Sequence, residues 1–243
     1  MIKKISLIVI AILFFWLFYF PKPYFTYSIQ EAKEEFNKPV NCKTRVNKME
    51  RANWLSKDEG KDLLKVARET IKSRLLKSKE PQIDWKNIPD IYKQKLGAFV
   101  TITIEDNLRG CIGHIIPRKT LIEGIMENAV NAAFRDPRFI PLTKEEFGNI
   151  EIEISVLTPP EKISYADAED LLKKLRPRVD GVIIKKEFNE STFLPQVWEQ
   201  LPDKKEFLAH LCLKAGLSPD EWQKGKLQVS TYQVQAFKEE ESK

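Results

Sequence analysis

The chain is expected to be α+β, a mixed or antiparallel sheet packed with helices, on three observations. A β-branched run, Gly97-Ala98-Phe99-Val100-Thr101-Ile102-Thr103-Ile104, meets the turn residues Glu105-Asp106-Asn107 and continues toward Ile116, which reads as a hairpin. Ile150, Ile152, Ile154 and Val156 alternate with Glu151, Glu153 and Ser155, the period of a strand with one buried face. Between and around these pieces lie capped helical segments, and strands and helices do not alternate as strict βαβ units.

Taken in order, Ser56-Lys57-Asp58-Glu59 is a capping box, and Leu64, Ala67, Ile71 and Leu75 repeat at helical spacing, giving a long amphipathic helix to about Lys77. Pro81 to Lys95 is an irregular connection. After the hairpin, Thr120-Leu121-Ile122-Glu123 opens a second helix with an inward stripe of Ile122, Ile125, Ala129, Ala132 and Ala133, stopped by Asp136-Pro137. Thr143 to Glu146 caps a short helical turn before the alternating strand, which ends at Pro159-Pro160. A helix near Ala166 to Leu175, a strand from Asp180 to Lys186 and a helix from Asp203 to Gly216 follow, with Pro219 at a first helical position. From Leu227 to Phe237 the chain is strand-like, but its apolar positions change phase near Thr231, a sign of a bulge or of burial on both faces.

The first residues differ in composition. After Lys3 and Lys4, Ile5 to Phe20 carries no charge, and Pro21-Lys22-Pro23 ends any helix. As a helix it spans roughly 24 Å, short of the roughly 30 Å hydrocarbon layer. No A-x-A cleavage pattern follows, Thr26-Tyr27-Ser28 being a poor substitute, so an uncleaved anchor is expected. The domain organisation is then a signal anchor at 1–27, a polar spacer at 28–53, one folded domain at 54–238 and a charged tail at 239–243. The signal-like layout favours a membrane protein with the domain outside the cytoplasm. The net charge of +5, from 40 basic and 35 acidic residues, is interleaved, so no nucleic-acid face is expected. Three cysteines give no disulfide framework.

The chemistry concentrates in Leu108-Arg109-Gly110-Cys111-Ile112-Gly113. On a regular strand Arg109 and Cys111 share a face, and a guanidinium beside a thiol lowers its pKa. Cys111 is therefore the candidate nucleophile, against the plain reading of a small buried residue. Gly110 and Gly113 mark a bulge or a close approach by another backbone or ligand. His114 differs from Cys111 by three positions and faces away. His210 is either a base reaching Cys111 from another element or a core residue, and it does not combine with Cys212 on one helix face into a metal site. Arg135 and Arg138 could join Arg109 in an anion pocket, or Arg135 could compensate a helix end while Arg138 pairs with Asp136. Glu153 could accept a proton or pair with Arg109, and Gln196 could direct an amide into the pocket. No phosphate-cradling glycine loop, nucleotide fingerprint or serine-histidine-acid set stands out, and neither a metal nor a cofactor is expected.

The glycine-flanked hexapeptide resembles the signature of the AMMECR family, whose prokaryotic members are called AmmeMemoRadiSam system protein A. Further matches are Ala133-Phe134-Arg135-Asp136-Pro137-Arg138-Phe139, Glu153 to Pro160, Asp180-Gly181-Val182, Phe193-Leu194-Pro195-Gln196-Val197 and Glu206 to Leu217. The resemblance implies one domain of two closely packed subdomains, and partners of the Memo type together with a radical-SAM protein. Such partners imply a reduced cytosolic setting, which conflicts with the exported orientation. Two functional readings follow: a Cys-dependent enzyme component acting on an anionic small molecule or peptide group, or a non-catalytic adaptor using the same pocket for a partner protein.

Overall fold

The computed structural model describes residues 54–239, so the apolar segment, the spacer and all but the first residue of the charged tail lie outside the described residues. The fold is α+β, with two four-stranded antiparallel sheets and four helices among the described residues. Helix α1 (Lys57–Leu76) starts at the expected capping box: the Ser56 hydroxyl accepts from the Glu59 amide at 3.2 Å, and the Glu59 carboxylate accepts from the Ser56 amide at 2.7 Å. It ends where Lys77 turns left-handed. Strands β1 (Gly97–Ile104) and β2 (Asn107–His114) form the hairpin, and both turn residues, Glu105 and Asp106, have positive φ. Two consecutive left-handed residues match the right-handed strand twist and allow a two-residue loop.

Helix α2 (Leu121–Phe134) follows its own capping box at Thr120 and Glu123. With β3 (Ile150–Leu157) and β8 (Val234–Lys238), the hairpin completes the first sheet in the order β2-β1-β3-β8. The second sheet, in the order β4-β7-β5-β6, comprises β4 (Glu161–Ile163), β7 (Gln228–Tyr232), β5 (Gly181–Lys186) and β6 (Asn189–Phe193). Helix α4 (Lys204–Lys214) packs on its strand β6, and α3 (Ala168–Lys174) lies against the 3-10 turn Glu221–Lys224.

Helices α1 and α2 cover one face of the first sheet. That face carries Ala98, Val100, Ile102, Ile152, Ile154 and Val156, all buried, and the Asn128 amide donates to the Ala98 carbonyl at 3.0 Å. The opposite face is only partly covered: Phe99, Thr101, Cys111 and Glu153 are half-buried and Ala236 is exposed. In the second half, the Trp198 ring stacks on Phe207 with centroids 3.6 Å apart, and the Trp198 indole donates to the Asp180 carbonyl at 2.7 Å. An aromatic pair of this size dominates a small core.

The phase change expected near Thr231 is a change of sheet. The chain leaves the second sheet after Tyr232 and enters the first at Val234; likewise β3 and β4 are one run broken at Thr158-Pro159-Pro160. The two breaks face each other. The Thr158 amide donates to the Gln233 carbonyl at 3.0 Å, and the Gln233 amide donates to the Thr158 hydroxyl at 2.9 Å. Pairing thus continues through the bend, and each break shifts the side-chain alternation as a bulge does. Two strands, β4 and β6, lie outside the sequence-based expectation, and Pro219 does not open a helix; the nearby helical turn is a 3-10 turn at Glu221–Lys224, which Asp220 precedes without a side-chain cap bond.

Candidate functional site

Strand register sets one row of side chains across the open face of the first sheet. Cys111 on β2 lies opposite Thr101 on β1, Thr101 opposite Glu153 on β3, and Glu153 opposite Lys238 on β8. The Thr101 hydroxyl donates to the Cys111 sulfur at 3.3 Å. Burial pushes the thiol pKa up; Thr101 and the Arg138 charge oppose this, while Asp136 and Glu153 add to it, and the net direction is upward. Glu153 is also raised, by burial first, with Lys238 and a Ser155 hydrogen bond pulling the other way. Burial thus shifts Cys111 and Glu153 alike toward their neutral forms, while Lys238 at the end of the row is held charged by Glu151 and Asp106.

The backbone of Cys111 lies on a sheet edge, because β2 pairs only with β1. Its amide donates to Asp136 Oδ2 at 2.9 Å, and its carbonyl accepts from Arg138 Nη2 at 3.2 Å. Arg138 in turn grips Asp136 through Nε at 2.9 Å and Nη2 at 2.6 Å. The Asp136–Arg138 pair thus occupies the place of the next strand, satisfying an edge that would otherwise be open. Burial works to raise the Asp136 carboxyl, but the bonds from Arg138 and from the Cys111 and Arg138 amides outweigh it and hold the group below its ordinary value.

Arg109 is where the structure corrects the sequence reading. The register shifts between Ile102 and Thr103, so Gly110 faces Ile102, Leu108 faces Thr103, and Arg109 is the extra residue of a bulge. Its guanidinium reaches Glu146, through Nε at 2.8 Å and Nη2 at 3.1 Å, and the Ile140 carbonyl at 2.9 Å. Glu146 also accepts from the Thr143 amide at 2.9 Å, so one carboxylate closes the expected cap and anchors Arg109. The Arg109 bond, with the Thr143 contacts, takes the Glu146 carboxyl down to about 2. Arg109 is not among the groups acting on the Cys111 thiol. Burial dominates that thiol, the cation acting on it is Arg138, and the partner of Arg109 is Glu146 rather than Glu153.

The remaining candidates separate. Arg135 is exposed and bonds Asn131 at 3.3 Å on its own helix, so no triple-arginine pocket forms; Arg138 pairs with Asp136 instead. His210 is exposed on α4, which packs on β6, and its Nδ1 lies 3.0 Å from the Glu206 carbonyl oxygen, so it is neither a core residue nor among the groups acting on Cys111. His114 lies opposite Ala98, on the face away from Cys111, as expected from strand parity. Gly110 is required by packing: a Cβ there would stand 2.1 Å from the Ala132 carbonyl oxygen of α2. Gly113 lies against the Phe99 ring, 2.3 Å from where its Cβ would be. Gln196 borders a separate hollow with Val234 and Ala236. Cys212 is buried in the second core, and no group of three metal-ligating side chains occurs among the described residues.

Sequence reasoning missed Thr101 and Glu146. A threonine amid apolar strand residues was the available signal for the first; Glu146 was read only as a cap.

The comparisons agree with this architecture. A sequence model of the AMMECR1 family matches residues 64–237. A protein of Methanothermobacter thermautotrophicus is 41% identical over 187 residues, covering 76% of this chain and 97% of that one. A Methanosarcina barkeri protein is 45% identical over 186 residues, covering 75% and 91%. The crystal structure of an uncharacterized protein from Pyrococcus horikoshii superimposes with a TM-score of 0.65 at 37% identity, covering 74% of this chain and 91% of that one. The hexapeptide on β2, the two linked antiparallel sheets and these relatives together place the chain in the AMMECR1 family.

Proposed function

We propose that this domain is a ligand-binding component whose open sheet face, with Cys111, Thr101 and Glu153 in one row, takes an uncharged polar group, and that Cys111 takes part as a neutral thiol. The observation that carries the reading is the division of the arginines: Arg109 is held by Glu146 and Arg138 by Asp136, so both guanidiniums are neutralised by carboxylates. This departs from both sequence readings: it keeps the non-catalytic use of the pocket but puts an uncharged polar group where the adaptor reading put a partner protein. The Cys-dependent enzyme is the second reading, and one observation favours it: Glu153 shares the row with Cys111, and its raised pKa suits a proton carrier.

Two parts of the proposal rest on sequence alone. Ile5 to Phe20 anchors the domain to a membrane, and Memo-type and radical-SAM proteins are the partners implied by family resemblance. Among the described residues no helix is long and apolar enough to cross a membrane.

Alkylation of the folded protein with iodoacetamide at neutral pH tests the central point. The binding reading predicts that Cys111 reacts no faster than an ordinary partly shielded cysteine. Modification of Cys111 about a hundredfold faster than an unfolded control peptide would replace it with the enzyme reading.

A further inference from the structure

A hollow of about 200 Å³ lies beside the open end of the first sheet, lined by Arg178, Pro195, Gln196, Glu199, Val234 and Ala236. We propose that it is a binding site for a free α-amino acid.

Its walls are fixed by the surrounding fold. Arg178 sits left-handed, φ 65°, in the tight turn between Arg176 and Asp180, where the Arg176 carbonyl accepts from the Val179 and Asp180 amides at 3.2 and 3.0 Å. Gln196 and Glu199 belong to the 3-10 turn Pro195–Glu199. The two turns are tied together by the buried Trp198, whose indole donates to the Asp180 carbonyl. Val234 and Ala236, two positions apart on β8, supply an apolar side. A site whose walls are held in this way loses little entropy when a ligand enters.

The polar groups specify the ligand. Arg178 and Glu199 both line the hollow and are exposed, and neither takes part in an ion pair or side-chain hydrogen bond among the described residues. The Gln196 amide oxygen is buried and has no hydrogen-bond partner, a condition that ordinarily costs about 1–3 kcal/mol until a donor arrives. The complement to this set is a molecule with an anionic acceptor for Arg178, a cationic donor for Glu199 and an N–H for Gln196, on a short apolar body that lies against Pro195, Val234 and Ala236. A zwitterionic amino acid has these groups. The volume agrees, since it falls below the roughly 300–1,000 Å³ of sites for drug-sized molecules.

These polar residues are not those of the Cys111 row, so the two proposals succeed or fail separately. The test is titration of the full isotope-labelled chain with each of the common L-amino acids up to about 10 mM, followed by NMR at the Gln196 side-chain amide and the Ala236 backbone amide. At least one amino acid should shift both signals, with N-acetylated and carboxamide forms of the same compound binding at least about tenfold more weakly. Arg178→Gln and Glu199→Gln, both at exposed positions, should each weaken binding by a similar factor without altering the fold. The proposal is overturned if no amino acid moves these signals, if the blocked forms bind as well as the parent, or if binding survives both substitutions.

Discussion

Replacing Arg109 with Gln separates an anchoring role from a thiol-activating one. The side chain is 11% exposed and makes two bonds to Glu146 and one to the Ile140 carbonyl. Hydrogen bonds to charged groups are worth about 1.5–3 kcal/mol each, and removing one partner of a buried pair costs about 3–5 kcal/mol. Two features reduce the loss here. Glu146 is 30% exposed, so water can replace its lost partner, and Arg109 Nη1 is buried without a partner, so removing it relieves one unsatisfied donor. A net destabilisation of about 2–3 kcal/mol follows, or roughly 5–10 °C for a domain of this size. Urea unfolding supplies the free energy, and the iodoacetamide rate at Cys111, measured on the folded fraction, supplies the second readout. The anchoring role predicts lower stability with the alkylation rate unchanged. A loss below about 0.5 kcal/mol together with a tenfold slower reaction would refute it and restore Arg109 as the activator.

Other expectations follow from the same geometry. Asp136→Asn removes the charge that holds Arg138 and weakens the cap on the β2 edge; it should cost about 2–4 kcal/mol, and hydrogen exchange at the Cys111 amide should accelerate toward the rate of a frayed edge. The Glu146 carboxyl is depressed from 4.5 to about 2, so its contribution is fully present above pH 4.5 and is lost as pH falls through about 2. Comparing the protein with Glu146→Gln across that window should show the stability gap close on acidification; a gap that is constant with pH contradicts the ion pair. Gly110→Ala drives a Cβ to 2.1 Å from backbone oxygen and should destabilise by at least about 2 kcal/mol, whereas Gly124→Ala, with nothing within 4 Å, should stabilise α2 by about 0.5–1 kcal/mol in thermal unfolding.

Much of the architecture was legible because local rules and tertiary packing agree. The capping boxes at Ser56 and Thr120 and the alternation along β3 each had one consistent structural meaning, and each is observed. Strand β6 was hidden because Asn189-Glu190-Ser191-Thr192-Phe193 is a mostly polar edge segment, and its pairing with β5 supplies what its composition does not. The break near Thr231 was visible as a phase change, but its meaning depended on Thr158, distant in sequence, meeting Gln233.

The site followed the same pattern. Strand parity correctly put His114 and Cys111 on opposite faces. Parity does not carry to Arg109, the extra residue of a bulge; glycine within the strand was the signal for such an irregularity, but it does not say which residue is the extra one. The alignment of Thr101 and Glu153 with Cys111 is a matter of register between strands, which periodicity within one strand does not contain.

The most direct test of the neutral-thiol account is the ionisation of Cys111 itself, followed by thiolate absorbance against pH in a Cys42→Ser, Cys212→Ser background. Burial beneath the open face predicts an apparent pKa above that of a free cysteine, so that the thiol is protonated at neutral pH. An apparent pKa below the free value would contradict the account and make Cys111 a thiolate available for nucleophilic chemistry.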